Sequence, residues 1–341
     1  MRKGINPSKL AGQIPAPAIH RVVMPVFIPN TEDVYFKEAL TILRYCVESL
    51  FKTTHASTRF TIINNRSCES VTEFLRGAFR GEERFDQYLE SKVNLGKINA
   101  IRSAVKSNRE LLMTITDADV LFRQGWQCEV EELHATFPDA GMISPAVMAG
   151  TSYAFSDLAS TTLFVGLMGK GLRKMHVLDR DGIESFHKST GTVPPYDNGN
   201  LWNIVLERNG KRAVVGCSHF VATFKSKVFD FLPPSPTEDL LSSESDYRHL
   251  DKPNNASGFL RLSTSKTFAF HMGNIPEEWM LAELQKNRDG GSPVLSTYFY
   301  EMPNPEPVGR VMIVFGKLFS KAIKRIPILK SLLIRWMSRD S

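Results

Sequence analysis

The sequence predicts an α/β domain built on a mostly parallel sheet, and three observations point to it. Short apolar runs alternate with stretches whose apolar residues recur at helical spacing. The runs are apolar at nearly every position, as in strands covered by helices on both faces. Several runs also end in polar residues (Asn64, Asn65, Asp117, Asp119), and ligands of such sheets bind beyond the carboxyl ends of the strands. Element by element, RVVMPVFIP (21–29) reads as a first buried strand broken by Pro29. Asn30 and Thr31 are cap candidates for a helix, with Glu32 and Asp33 complementing its dipole. Val34, Phe36, Leu40, Leu43, Val47 and Leu50 then keep helical spacing to about Phe51. RFTIINN (59–65) is a second strand, NLGKINAIRSAVKSN (94–108) a turn and helix, and ELLMTITDADVLF (110–122) a further buried strand. GWQCEVEELHATF (125–137) reads as a helix, with Trp126 packing under the aspartates, and GMISPAV (141–147) as a strand.

The expected organisation is a flexible N-terminus (1–20), an α/β half (21–150), a less regular half completing a cleft (151–275), a proline-containing connector (276–308) and a tail (309–341). TSYAFSDLASTTLFVGLMGKG and VPPYDNGN, rich in small and turn-forming residues, mark the looser second half. Of 42 basic and 36 acidic residues, eight and one lie in 309–341, leaving a near-neutral body with 34 and 35. A nucleic-acid-binding body is therefore disfavoured. Four scattered cysteines without a C-x-x-C pair argue against a zinc finger or disulfide framework and suit a reducing cytosol. The polar N-terminus lacks an apolar core for a signal peptide, so the sequons at Asn65 and Asn255 are read as chance matches. No apolar stretch reaches a membrane span. In the tail, Val311, Phe315, Leu318, Phe319, Ala322 and Ile326 share one helical face opposite Lys317, Lys321, Lys324 and Arg325. Trp336 follows as an interfacial anchor. Such a helix lies in an anionic membrane interface, packs on the body or mediates dimerisation; the first reading places the protein peripherally on the cytoplasmic face of a membrane.

A D-x-D pair taken alone is more often two surface aspartates in a turn. Its context is more specific. PVFIP (25–29), IINNRS (62–67), NLGKINA (94–100), TDADVLFRQGW (116–126), ESDY (244–247) and FHMGN (270–274), in that order, resemble the family-2-type glycosyltransferases of the GT-A fold over roughly residues 20–275. The resemblance implies a GT-A-like, Rossmann-type sheet flanked by helices, with an acceptor side contributed by the second half. It implies that Pro25, Phe27 and Pro29 shape the nucleotide loop. Asn64 stands where the family usually has a base-contacting aspartate, which keeps a UDP-sugar as the expected donor. Asn94, Gly96 and Lys97 fall near the diphosphate, or else form a turn with a solvated lysine. Asp119 would hold Mn²⁺ or Mg²⁺, and Asp117 the sugar or ribose hydroxyls. His271 is either a second metal ligand or a core histidine. The family's acidic cluster places the base at Glu244 or Asp246, with Asp239 of the literal Glu-Asp pair third. His219 is a candidate acceptor contact or a packed residue. The implied reaction is inverting, metal-dependent transfer of a sugar from a nucleotide-diphosphate donor to a hydroxyl of a glycan or lipid-linked acceptor. A sugar nucleotidyltransferase and a non-catalytic membrane-associated scaffold are the alternatives. The first lacks a glycine-rich, basic N-terminal phosphate loop, and no G-x-x-x-x-G-K-[ST] motif supports a P-loop ATPase.

Overall fold

The computed structural model describes residues 4–7, 18–148, 154–169, 171–177, 179–196, 199–241, 243–293, 295–296 and 302–338. Most of the N-terminal 1–20, and parts of the TSYAFSD and VPPYDNGN stretches, lie outside these residues. The first half runs β1 (His20–Val26), α1 (Ala39–Thr53), β2 (Arg59–Asn65), α2 (Glu69–Gly81), β3 (Phe85–Ser91), α3 (Lys97–Val105), β4 (Leu112–Thr116), β5 (Val120–Phe122), α4 (Trp126–Thr136) and β6 (Ala140–Ser144). It continues with α5 (Ser160–Met168), β7 (Leu172–His176), α6 (Arg180–Ser189), β8 (Trp202–Arg208), β9 (Lys211–Val215) and β10 (Val221–Lys225). A helical segment over 243–256 precedes β11 (Leu260–Ser263), β12 (Ala269–His271), α7 (Glu278–Asp289), α8 (Arg310–Arg325) and α9 (Pro327–Met337).

Ten strands form one sheet in the order β3-β2-β1-β4-β10-β6-β11-β9-β8-β7. Following the pairings, β1, β2, β3, β4, β6, β11 and β8 point one way, and β10, β9 and β7 the other. The expected α/β sheet is present, and the two expected halves are continuous through it: β10 lies between β4 and β6, and β11 beside β6. Val22, Met24, Val26 and Ile62 are buried on one side of the sheet with Leu43, Val47 and Leu50 of α1. Val23, Ile63 and Ile115 are buried on the other with Ile98 and Ile101 of α3. Burial on both faces is why these strands carry apolar residues at every position.

Three expectations are corrected, and one open alternative is decided. The first helix begins at Ala39, not after Asn30: the Asn30 carboxamide oxygen accepts from the amides of Glu32 and Asp33 and closes a turn, leaving Val34 94 % exposed. The 110–122 run is two strands split by the aspartates. The connector over 276–308 contains α7, anchored by Asn287 Nδ2 donating to the Phe122 carbonyl (2.7 Å) and by an Arg123–Glu283 ion pair (2.7 Å). The tail is docked as well as amphipathic. Gly316, Ser320 and Ile323 of α8 are buried, and a Cβ on Gly316 would stand 3.0 Å from the Thr161 Cα of α5.

Candidate active site

The aspartates occupy a turn fixed from both sides. At the end of β4 the Asp117 amide donates to the Phe220 carbonyl (2.8 Å). Three residues later the chain enters β5, whose antiparallel partner β12 sets His271 opposite Val120. The Met272 amide then donates to the Asp119 carbonyl (2.8 Å). This register brings together two residues 152 positions apart in sequence, so that His271 Nε2 stands 3.5 Å from Asp119 Oδ2. Trp126 is fully buried beneath β5 against Phe122, its Nε1 donating to Thr53 Oγ1 (3.1 Å).

The proton inventory around His271 identifies what the pair can do. Ser189 Oγ donates its single proton to the Phe186 carbonyl (2.8 Å) and lies 3.0 Å from His271 Nδ1. Assigned from that bookkeeping, Nδ1 carries the imidazole proton and donates it to Ser189, leaving the Nε2 lone pair facing the carboxylate. Two lone-pair atoms at 3.5 Å make no hydrogen bond but can share a cation. Asp119 Oδ1, sealed from solvent, has no hydrogen-bond partner either. Burial raises the Asp119 pKa, with His271 offsetting part of the effect. The donor set therefore fits a divalent cation at Asp119 and His271. Its imidazole nitrogen suits Mn²⁺ better than Mg²⁺, which prefers oxygen. Among the described residues no group of three His, Cys, Asp or Glu side chains gathers there, so substrate oxygens would complete the coordination.

Asp117 is engaged differently. Its Oδ1 takes an ion pair from Lys97 Nζ at 2.7 Å, and the same ammonium lies 3.6 Å from Asp246 Oδ2. Burial would lower the Lys97 pKa, but Asp117 and Asp246 more than offset it and the group is held charged. Asp246 is buried, and burial raises its pKa against the opposing pull of Lys97 and His219. Behind it stands a chain that sequence reasoning left unread. His219 lies 3.8 Å from Asp246 Oδ2 and 3.6 Å from Asp251 Oδ2, and Asp251 Oδ1 is bound by Arg261 Nη1 at 2.6 Å. A π-helical turn over Tyr247–Asp251 brings Asp246 and Asp251, five residues apart, to the same histidine. The interaction with Asp251 raises the His219 pKa.

Other expected residues are redistributed. Glu244 points to solvent, 57 % of its side chain exposed, and pairs with Arg248 at 2.8 Å; Asp246 is the carboxylate at the site. Asp239 is exposed in the loop above α3. Asn64 is buried and spends its amide locally, Nδ2 donating to Thr72 and Tyr88 and Oδ1 accepting from the Ser67 amide. Asn94 Oδ1 accepts from the Gly96 amide and from Asn65 Nδ2 (both 2.9 Å), so it shapes the turn. Gly96 (φ +79°, ψ 156°) sits under the 232–241 loop, where a Cβ would meet the Asp239 carbonyl oxygen at 2.7 Å. Of the NLGK turn, Lys97 alone reaches the aspartates. Pro25 is half-buried in β1, whereas Phe27 is 39 % exposed. Phe27 lines an open cleft of about 140 Å³ with Tyr35, Phe36, Ala118, Asp119 and Asn274. That cleft runs from the end of β1 to the candidate cation site.

No family model and no curated protein matches the chain. Solved structures do. The mannosyltransferase PcManGT from Pyrobaculum calidifontis, in complex with GDP-Man and Mn²⁺, is 12 % identical over 93 % of this chain and 79 % of its own, with a TM-score of 0.44. S. aureus TarS 1-349 in complex with UDP-GlcNAc is 10 % identical over 77 % and 60 %, TM-score 0.40. Glucosyl-3-phosphoglycerate synthase from Mycobacterium tuberculosis, with Mn²⁺, UDP and glucosyl-3-phosphoglycerate, is 12 % identical over 84 % and 83 %, TM-score 0.36. Likeness at this level transfers neither substrate nor mechanism, and the functional reading rests on the side chains.

Proposed function

We propose that the protein is an inverting, metal-dependent glycosyltransferase that moves a sugar from a nucleotide-diphosphate donor to a hydroxyl acceptor. One observation carries the reading. Near the ligand edge of the sheet, a cation-ready pair (Asp119 and His271) is accompanied by a separate buried carboxylate, Asp246, linked to Asp117 through the Lys97 ammonium. Leaving-group stabilisation and proton abstraction thus fall to different residues, which is what sugar transfer to a hydroxyl requires.

When bound, Mn²⁺ supplies charge neutralisation for the departing diphosphate. Asp119 and His271 hold that position, Ser189 fixing the imidazole tautomer. Phe27 and the 35–36 aromatics offer apolar surface to the nucleotide. Asp246 takes the acceptor hydroxyl proton. The acceptor oxygen bonds to the anomeric carbon, and the bond from that carbon to the diphosphate oxygen breaks, its electron pair leaving with the nucleoside diphosphate. Lys97 neutralises Asp117 and offsets part of the burial that raises the Asp246 pKa, while the Arg261–Asp251–His219 chain orients the base. A UDP-sugar is the first donor to test, with a glycan or lipid-linked hydroxyl as acceptor. Incubation with nucleotide sugars and Mn²⁺ is expected to release nucleoside diphosphate and form a product of inverted anomeric configuration. Pyrophosphate formed from nucleoside triphosphates would instead indicate a nucleotidyltransferase.

A further inference from the structure

α8 has three faces where an amphipathic helix usually has two. On the face toward α5, Gly316 and Ser320 allow close approach and Ile323 is buried. Ser320 Oγ donates to Asp157 Oδ1 (3.2 Å), and Lys324 pairs with the same carboxylate at 2.8 Å. This docking fixes the rotation of the helix about its axis. At 100° per residue, Val311, Val314, Phe315 and Leu318 then form a second, largely exposed face, of which Phe315 also stacks on Phe164 of α5 (ring centroids 6.2 Å). They are 65 %, 55 %, 52 % and 54 % exposed. The third face carries Arg310, Lys317 and Lys321, all exposed, immediately beside that apolar stripe. After Pro327 the pattern recurs. α9 is held by buried Met337 and exposes Ile328 (70 %), Leu332 (55 %) and Trp336 (37 %), with Arg335 on the exposed side.

Consecutive helices anchored by one face, and displaying large apolar side chains on another, form an exposed patch that asks for an occupant. The charge selects it. The described part of the tail, 309–338, holds seven Lys/Arg and no acidic residue. An apolar stripe bordered by cations alone complements a surface that is apolar below and anionic above. No described helix is long and apolar enough to cross a bilayer, so the mode of contact is in-plane. We infer that α8 and α9 form a docked, monotopic membrane-binding surface, laying the stripes around Leu318 and Leu332 into the interface of an anionic bilayer. Arg310, Lys317 and Lys321 would lie at headgroup level.

The test is co-sedimentation of the full chain with vesicles of phosphatidylcholine alone and of phosphatidylcholine with 30 % phosphatidylglycerol. The expected result is salt-sensitive binding to the anionic vesicles, with weak binding to the neutral ones. Each cation removed should lower the partition coefficient about fivefold, the equivalent of ~1 kcal/mol, so K317Q/K321Q should lose on the order of twenty-fold. L318Q/L332Q, altering residues that take no part in docking on α5, should abolish binding while leaving the thermal transition in place. Unchanged sedimentation of both double variants, or equal binding to neutral vesicles, would overturn the assignment. So would a dimer in analytical ultracentrifugation that L318Q dissolves while vesicles are ignored, since the occupant would then be a second copy.

Discussion

Replacing Asp246 by asparagine keeps the side-chain volume and removes the base. Three features of the structure set the expected size of the effect. Asp246 is 9 % exposed, so bulk water is a poor substitute for it. Lys97, its cationic neighbour at 3.6 Å, keeps its shorter bond to Asp117 at 2.7 Å, so the substitution strands no buried ammonium and the fold should survive. A positioned general base contributes roughly 10²–10⁴-fold, about 3–5 kcal/mol of barrier, and kcat should fall by that factor. Glu244→Gln, two residues away and solvent-facing, should leave kcat within about twofold, since exposed pairs such as Glu244–Arg248 contribute little. The assay is continuous release of nucleoside diphosphate, with donor affinity measured separately by calorimetry; Asp246→Asn should retain the latter. Because burial raises the Asp246 pKa and the base acts deprotonated, the wild-type rate should rise with pH along an acid limb absent from Asp246→Asn. Lys97→Met should displace that limb to higher pH, because it removes the charge that favours the carboxylate. A kcat for Asp246→Asn within threefold of wild type, or an equal loss in Glu244→Gln, would refute the assignment.

Further expectations follow from neighbouring contacts. Arg261→Met leaves Asp251 buried without its guanidinium and should cost about 3–5 kcal/mol in urea denaturation. Asp251 has a lowered pKa: burial alone would raise it, but Arg261 and His219 outweigh that. Its contribution to stability is therefore present above the unfolded carboxylate pKa and lost as pH falls through the lowered folded value. The gap between wild type and Arg261→Met should narrow over that acid range. Gly96→Ala places a Cβ against the Asp239 carbonyl in a backbone region open essentially to glycine, and should cost about 1–3 kcal/mol by thermal or chemical melting. His271→Ala should weaken Mn²⁺ binding about 10–100-fold in the presence of nucleoside diphosphate, and Ser189→Ala should weaken it less, by freeing the tautomer.

The elements legible in the sequence were those whose signal is local. β2 spans Arg59–Asn65 as its apolar run predicts, and α4 follows its periodic pattern to within a residue at each end. The apolar stripe of α1 gave its Leu43–Val47–Leu50 face, whereas Asn30 resembled a helix cap while closing only a turn. α2 and β3 were overlooked although Val71 and Leu75 hold an i, i+4 spacing. The β8–β9 hairpin carried a readable sign in Asn209-Gly210, both at positive φ, set between alternating runs. For the site, the D-x-D turn and Lys97 were legible as short local motifs, whereas their partners Asp246 and His271 come from far along the chain. The assignment between Glu244 and Asp246 could not be read, because it depends on which side of a π-helical turn faces His219. Asp251 and Arg261 carry no local signal, and only the fold makes them a buried pair. In the tail, packing on the body and an exposed apolar stripe proved compatible, because small residues at Gly316 and Ser320 supply a docking face of their own.

The central claim is most directly tested by mixing the full-length protein with a panel of nucleotide-diphosphate sugars and Mn²⁺, and measuring nucleoside diphosphate release in wild type and Asp119→Asn. The account predicts release with at least one donor that stops on chelation and falls at least a hundredfold in the variant, with both proteins melting alike. Release that persists undiminished in Asp119→Asn, or no release from any donor by a folded wild-type protein, would contradict it.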